Sequence, residues 1–172
     1  MLPDLVGRHL LAQLRDIGFA ADGEQAHLVC PVHRRADLDA AIRLIVHGQM
    51  TDFRAAAGIL KGKAVRIDTF IVPATSEIAN NLKTERLNGQ TLEDVFLSAG
   101  AKIGQASCAA CLGGPSDTFG RLNTPLSCIS TTNRNYPGRM GHKEARVYLA
   151  SPLTVAASAI TGVITDPRDY IA

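Results

Sequence analysis

Two cysteines, Cys108 and Cys111, are spaced as a C-x-x-C motif and are followed by Leu-Gly-Gly. Thiols at this spacing can form a redox pair, half of a zinc site, or two ligands of an iron–sulfur cluster. A thioredoxin-type pair would stand at a helix start in the first half of a βαβ unit, whereas this motif lies in a glycine-rich stretch late in the chain. The fourth interpretation is that both cysteines are ordinary thiols that bind no ligand. The motif alone does not decide among the four interpretations.

The stretch SCISTTNRNYPGRMG, residues 127–141, holds the second group of residues that could do chemistry. Arg134 and Arg139 each present a planar fork of N–H donors that suits bidentate binding of a carboxylate. Asn133 and Asn135 add neutral polar groups next to them. Two loop arginines are often only solvated surface, but their position shortly after the C-x-x-C motif favours a binding site.

Helices and strands alternate along the chain around these two motifs. Apolar periodicity, N-cap residues and terminal glycines predict helices over 2–17, 36–46, 52–63, 74–89, 91–100 and 151–162. Among the caps, Thr91 and Asp94 are spaced as a capping box, and Ser151 is the N-cap of the last helix. Short β-branched or apolar runs predict strands over 27–30, 65–73, 128–132 and 145–151. The alternation implies an α/β domain with a mostly parallel sheet. Since ligands of open α/β sheets bind at the carboxyl ends of the strands, we expect both motifs there.

Composition restricts the class of protein further. The 172 residues carry a net charge of +2, which is too small to argue for binding of nucleic acid or of an anionic membrane. No apolar run approaches the roughly 20 residues that span a bilayer, and the charged N-terminus lacks the apolar core of a signal peptide. We therefore expect a cytoplasmic protein whose four cysteines are thiols or metal ligands rather than disulfides.

The order of the motifs resembles the aconitase superfamily, and within it the third domain of the 3-isopropylmalate dehydratase large subunit and of the homoaconitases. The resemblance is carried by CAACLGG, by SCISTTNRNYPGRMG and by VYLASPLTVAASAITG, with TDFRAAAGILKGKAV and FIVPA upstream. It covers about residues 44–172 and implies a three-layer α/β/α domain like the iron–sulfur domain of that family. Residues 1–43 have no counterpart in it and are expected to form a helical and strand segment packed on the same domain.

The resemblance implies a hydro-lyase of the isomerase type, which moves a hydroxyl between adjacent carbons of a di- or tricarboxylic acid. It also implies a [4Fe–4S] cluster, with Cys108 and Cys111 as two of its three cysteine ligands. Asn133 would approach the cluster, while Arg134 and Arg139 would bind substrate carboxylates. No catalytic acid or base is assigned, because the family places those groups in domains that have no counterpart here.

The sequence departs from the family at the third cluster cysteine. That cysteine lies seven residues before the aspartate of the "DLRAAA" helix, and counting back from Asp52 reaches Ile45, whose aliphatic side chain cannot bind iron. Cys30 has the same spacing before Asp37 and is the candidate substitute. The [4Fe–4S] cluster is therefore possible but is put in doubt by Ile45.

Three functions follow from these observations. The chain could be a subunit or domain of a hydro-lyase, completed by partner chains that supply the missing domains or by further copies of itself. It could be a degenerate relative that binds a carboxylate ligand or a protein partner without a cluster. Finally, the C-x-x-C motif could have been converted to a zinc or thiol-redox site. Whether the chain is an enzyme stays open at this point.

Overall fold

The computed structural model describes residues 43–171, and in them a five-stranded parallel sheet forms the centre of the domain. Its strands are β1 (Arg43–Gly48), β2 (Asp68–Pro73), β5 (Lys102–Ile103), β6 (Ser127–Ser130) and β7 (Arg146–Leu149), in the order β5-β2-β1-β6-β7. β3 (Arg86–Leu87) and β4 (Gln90–Thr91) form a separate antiparallel hairpin. The central strand is β1, and its residue Ile45 pairs with Phe70 on one side and with Ser130 on the other.

Within the described residues, four helices lie in the connections between these strands, and one more helix and a 3₁₀ helix follow the last strand. They are α1 (Met50–Leu60), α2 (Ser76–Thr84), α3 (Leu92–Ser98), α4 (Ala109–Leu112) and α5 (Pro152–Thr161), followed by a 3₁₀ helix at Pro167–Tyr170. Side chains before the first turns accept the unpaired N–H groups there, as the sequence predicted. Thr91 accepts the N–H of Asp94 while Asp94 accepts that of Thr91, and Ser151 accepts the N–H of Thr154.

The sheet buries apolar residues on both faces, because successive side chains of a strand point to opposite sides. Ile71 and Ile129 pack on one face in a cluster formed mainly with α1, α3 and α5. On the opposite face Phe70 and Val72 pack with Cys128, Leu122 and Met140. Leu122 and Met140 belong to the segments that carry the two sequence motifs, so this second cluster fixes those segments against the sheet.

These observations confirm the predicted α/β class with a mostly parallel sheet. The helix predicted over 36–46 is wrong at its end, since Arg43–Gly48 is the central strand. The reason is that periodicity alone cannot distinguish a short buried apolar strand from a buried helix. The helix predicted over 74–89 stops at Thr84, and the hairpin at 86–91 follows it. Two further predictions, the helix over 2–17 and the strand over 27–30, lie outside the described residues. The segment assigned to 1–43 also lies outside them, except for Arg43, the first residue of β1. Within 43–171 no helix is long and apolar enough to cross a membrane.

Candidate functional site

A cleft of about 670 Å³ opens where β1 and β6 end. Gly48 and the first residues of α1 form one wall, the C-x-x-C segment forms another, and the stretch after β6 forms the third. The lining residues are Gly48, Gln49, Thr51, Asp52, Cys108, Cys111, Leu112, Thr131, Thr132, Asn133 and Arg139. The structure therefore brings Cys108, Cys111, Asn133 and Arg139 together at the carboxyl ends of parallel strands, where a ligand of an open α/β sheet is expected.

Two predicted site residues are not part of this lining. Arg134 is exposed and does not line the cleft, although it directly follows Asn133. Cys30 lies outside the described residues. The roles predicted for both residues stay predictions.

The C-x-x-C motif is held at the end of β2. The N–H of Ser107 donates to the carbonyl of Pro73 at 3.0 Å, and the Ser107 hydroxyl accepts the N–H of Ala109 at 2.9 Å. The N–H of Cys111 then donates to the carbonyl of Cys108 at 3.2 Å, which closes one short helical turn. Cys108 is exposed at the start of this turn, whereas Cys111 is 7% exposed at its end.

Burial and, to a smaller extent, the neighbouring Cys108 raise the pKa of the Cys111 thiol, while the positive charge of Arg139 lowers it, and the net pKa is about 11. A thiolate, not a thiol, is the nucleophile and the metal ligand. Because its pKa is about 11 even with Arg139 beside it, Cys111 is a neutral thiol at pH 7.

Arg139 carries an unused donor in the cleft. Its Nε is buried and has no hydrogen-bond partner within the part of the chain that the structure describes. Its guanidinium carbon lies 5.5 Å from the centroid of the Tyr136 ring, which supports the cation from one face. A buried donor without an acceptor costs about 1–3 kcal/mol, so an oxygen that accepted this N–H would remove that cost.

A hydrogen bond and a close backbone contact hold the loop that carries Arg139. The Asn135 side-chain amide donates to the carbonyl of Val147 in β7. A Cβ added at Gly113, whose φ is +78°, would lie 2.8 Å from the carbonyl oxygen of Arg139. Only glycine therefore lets the end of the C-x-x-C turn approach the arginine loop this closely.

Sequence reasoning missed the residues at the start of α1 and after β6. Asp52 accepts the N–H of Gln49 at 3.0 Å, and Gln49, Thr51 and Asp52 all line the cleft. Thr131 and Thr132 line it from the other side. A correct assignment of β1 as a strand would have predicted these residues as part of the site, because residues that directly follow two neighbouring parallel strands meet at one edge of the sheet.

The donor set does not fit a [4Fe–4S] cluster bound by three thiolates. Cys108 and Cys111 supply two thiols to the cleft, and 43–171 contain no group of three His, Cys, Asp or Glu residues placed to hold a metal ion. At the position where the sequence resemblance predicts the third cysteine of the family, β1 has Ile45. We therefore derive no chemical step through a cluster.

Comparison with known proteins agrees with the fold and the motifs. Residues 42–162 match the sequence model of the Aconitase family (aconitate hydratase). Over 130 residues the chain is 49% identical to the chloroplastic 3-isopropylmalate dehydratase large subunit of Arabidopsis thaliana, covering 72% of this chain and 26% of that protein. Similar matches are the 3-isopropylmalate dehydratase large subunits of Campylobacter concisus (48% identity; 72% of this chain, 28% of that protein) and Halothermothrix orenii (40%; 82% and 33%).

The chain belongs to the aconitase family. This confirms the resemblance drawn from the sequence motifs. The chain spans about a quarter to a third of the length of these curated relatives.

Proposed function

We propose that this chain is the carboxylate-binding part of an aconitase-family hydro-lyase that acts on di- or tricarboxylic hydroxy acids. The observation that carries the proposal is the buried, unpartnered Nε of Arg139 in a cleft that Asn133 also lines. A guanidinium binds a carboxylate through two parallel N–H bonds, and burial strengthens such charge-assisted bonds. The family membership, established above, makes a hydroxy acid the expected ligand.

In this proposal the residues of the chain bind and orient the substrate. Arg139 donates to one carboxylate, and the side-chain amide of Asn133 offers a donor and an acceptor to a hydroxyl or to a second oxygen. Arg134 is exposed beside them and is proposed to bind a second carboxylate once a further domain closes over the loop. Cys108 and Cys111 face the same space and would offer two thiolates to a metal centre whose other ligands come from elsewhere.

The rest of the active site is proposed to come from other chains. The large subunits matched above are three to four times as long as the part that this chain covers. In this proposal partner chains, or further copies of this chain, supply the acid and base that dehydration and rehydration require. A cytoplasmic location stays a prediction, and one relative is chloroplastic by its name.

One observation favours a second candidate function, namely Ile45 at the position of the family's third cluster cysteine. A chain that cannot hold a cluster would keep the fold and the arginine loop and bind a carboxylate ligand or a protein without catalysis. The hydro-lyase part requires carboxylate binding and the degenerate relative only allows it, whereas iron binding separates the two candidates. Conversion of the C-x-x-C motif to zinc or redox chemistry is the third possibility, and zinc stoichiometry tests it.

The test is titration calorimetry of the full chain with 3-isopropylmalate and, separately, with succinate. We expect heat of binding for the wild-type protein, and an affinity at least tenfold lower for Arg139→Gln, which is about 1.4 kcal/mol. The dimethyl ester of succinate, which has no charge, should not bind. Arg86→Gln is the matched control, since Arg86 donates to Gly89 in the hairpin and does not line the cleft.

Two results would contradict the proposal. One is the absence of binding at ligand concentrations up to about 10 mM, far above the usual range for a specific site. The other is equal binding by wild-type protein and Arg139→Gln. If binding is confirmed, iron and sulfide analysis after anaerobic reconstitution decides between the hydro-lyase part and the degenerate relative.

A further inference from the structure

Arg121 connects the two motifs without lining the cleft between them. Its Nε–H is shared between the carbonyls of Gly113 and Gly114, and the longer of these two bonds is 3.1 Å. Its Nη1 donates to the side-chain oxygen of Asn123, whose amide in turn donates to the carbonyl of Ser116 at 2.8 Å. One guanidinium thus holds the turn that ends the C-x-x-C segment together with the loop that follows it.

The aliphatic part of the Arg121 side chain and the backbone of Leu122 contact the end of the loop that carries Arg139. A Cβ added at Gly141 would lie 3.1 Å from Cγ of Arg121 and 2.2 Å from the carbonyl oxygen of Leu122. The N–H of Leu122 donates to the carbonyl of Met140 at 2.9 Å, and the N–H of His142 donates to the carbonyl of Leu122 at 2.7 Å. Met140 directly follows Arg139, so the residues at 121 and 122 fix the end of the arginine loop.

We infer that Arg121 is a positioning residue, which sets the distance between the C-x-x-C turn and the Arg139 guanidinium in the cleft. The inference rests on the proposed function, because it assigns to Arg121 the geometry of that carboxylate site. An arginine suits this role since its rigid planar head donates in several directions at once, to the carbonyls of Gly113 and Gly114 and to Asn123. A flexible single ammonium cannot reproduce that arrangement.

The test compares Arg121→Met with Arg86→Met in the full chain. Methionine keeps an apolar stem of similar length against Gly141 and removes every donor. Arg86 is the matched control because its Nη1 also donates to a backbone carbonyl, that of Gly89, at 2.8 Å, but away from the cleft. Two quantities are measured below the unfolding temperature of each variant: the affinity for 3-isopropylmalate, and the NMR resonance of the Arg139 Nε–H group.

We expect Arg121→Met to weaken 3-isopropylmalate binding about tenfold and to shift the Arg139 Nε–H resonance, while Arg86→Met changes neither. A merely structural role would lower the melting temperature and leave the resonance and the affinity of the folded protein as they are. That result would overturn the inference. If the wild-type chain binds no 3-isopropylmalate, the proposed function fails, and the resonance alone decides: a shift in Arg121→Met but not in Arg86→Met supports the positioning role, and its absence overturns it.

Discussion

The carbonyl oxygen of Arg139 and the backbone of Gly113 approach so closely that a Cβ on Gly113 would lie 2.8 Å from that oxygen. Gly113 also has a φ of +78°, a conformation that side-chain-bearing residues rarely adopt. The end of the C-x-x-C turn and the arginine loop are thus packed backbone against backbone. The shape of the cleft depends on this contact, because Cys111 and Arg139 both line it.

Gly113→Ala tests this contact. We expect it to lower the free energy of unfolding by about 1–3 kcal/mol, because the added methyl group meets backbone and the left-handed conformation is strained. Urea denaturation measures the change. Gly58→Ala is the control, since a Cβ there meets nothing within 4 Å on the exposed side of α1, and it should stabilise the protein by about 0.5–1 kcal/mol. Equal effects of the two substitutions would show that the close contact is absent in solution.

A second prediction concerns acid stability at the C-terminal 3₁₀ helix. Hydrogen bonds from Arg168 hold the pKa of the Asp166 carboxyl at about 2, below its ordinary value of 3.8. Because the folded-state pKa is the lower one, this carboxylate contributes stability that is present above pH 3.8 and is lost as the pH falls through about 2. Asp166→Asn should therefore have a lower urea midpoint than wild type at pH 6, and this difference should shrink towards pH 2.

Arg168→Gln provides the matched variant for this prediction. It removes the side-chain donors of the same ion pair but keeps the backbone N–H of residue 168, which also donates to Asp166, so its pH-dependent difference from wild type should be smaller than that of Asp166→Asn. The double variant should then show little additional loss, since both substitutions remove one interaction. A constant difference between wild type and Asp166→Asn across the whole pH range would contradict the lowered pKa.

The sequence predicted much of the fold because local signals agreed with the tertiary structure. The capping box of Thr91 and Asp94 and the N-cap Ser151 act over three residues, and both are present as predicted. The central strand β1 was missed because its run of apolar residues has no period that separates a strand from a helix. Its pairing with β2 and β6 depends on residues far away in the sequence, which no local pattern contains.

The candidate site could be predicted in its residue types but not in its geometry. The motifs identified Cys108, Cys111, Asn133 and Arg139, and the structure places all four at one cleft. Nothing in the motif distinguished Arg139 from Arg134, although one lines the cleft and the other is exposed. The difference arises because the chain turns at Gly138 and is then fixed by Met140, which is buried against the sheet.

A third prediction concerns the reactivity of the two thiols in the cleft. Cys108 is exposed, whereas burial raises the pKa of Cys111 to about 11. At pH 8 iodoacetamide should therefore modify Cys108 much faster than Cys111, and the rate at Cys111 should rise about tenfold per pH unit up to pH 10. Peptide-resolved mass spectrometry measures both rates in one sample.

Arg139→Gln should slow the modification of Cys111 further, because it removes the positive charge that lowers the thiol pKa. Arg86→Gln, in the hairpin, should leave the rate unchanged. Modification of Cys111 as fast as that of Cys108 at pH 8 would show that Cys111 is not buried in solution.

The last prediction asks whether Ile45 alone prevents cluster binding. Ile45 lies three residues before Gly48, where β1 reaches the cleft, and the sequence resemblance predicts the family's third cluster cysteine at this position. After anaerobic reconstitution with iron and sulfide, Ile45→Cys should bind about four irons per chain and absorb near 400 nm, because three thiolates can then hold a cubane cluster. Val46→Cys is the control, because it adds a thiol one residue away from that position, and it should bind no more iron than wild type.

If Ile45→Cys and Val46→Cys bind equal amounts of iron, residue 45 is not the position of the third ligand. If wild type already binds about four irons, Cys30→Ser tests whether Cys30 is the third ligand, and loss of the iron in that variant would establish it.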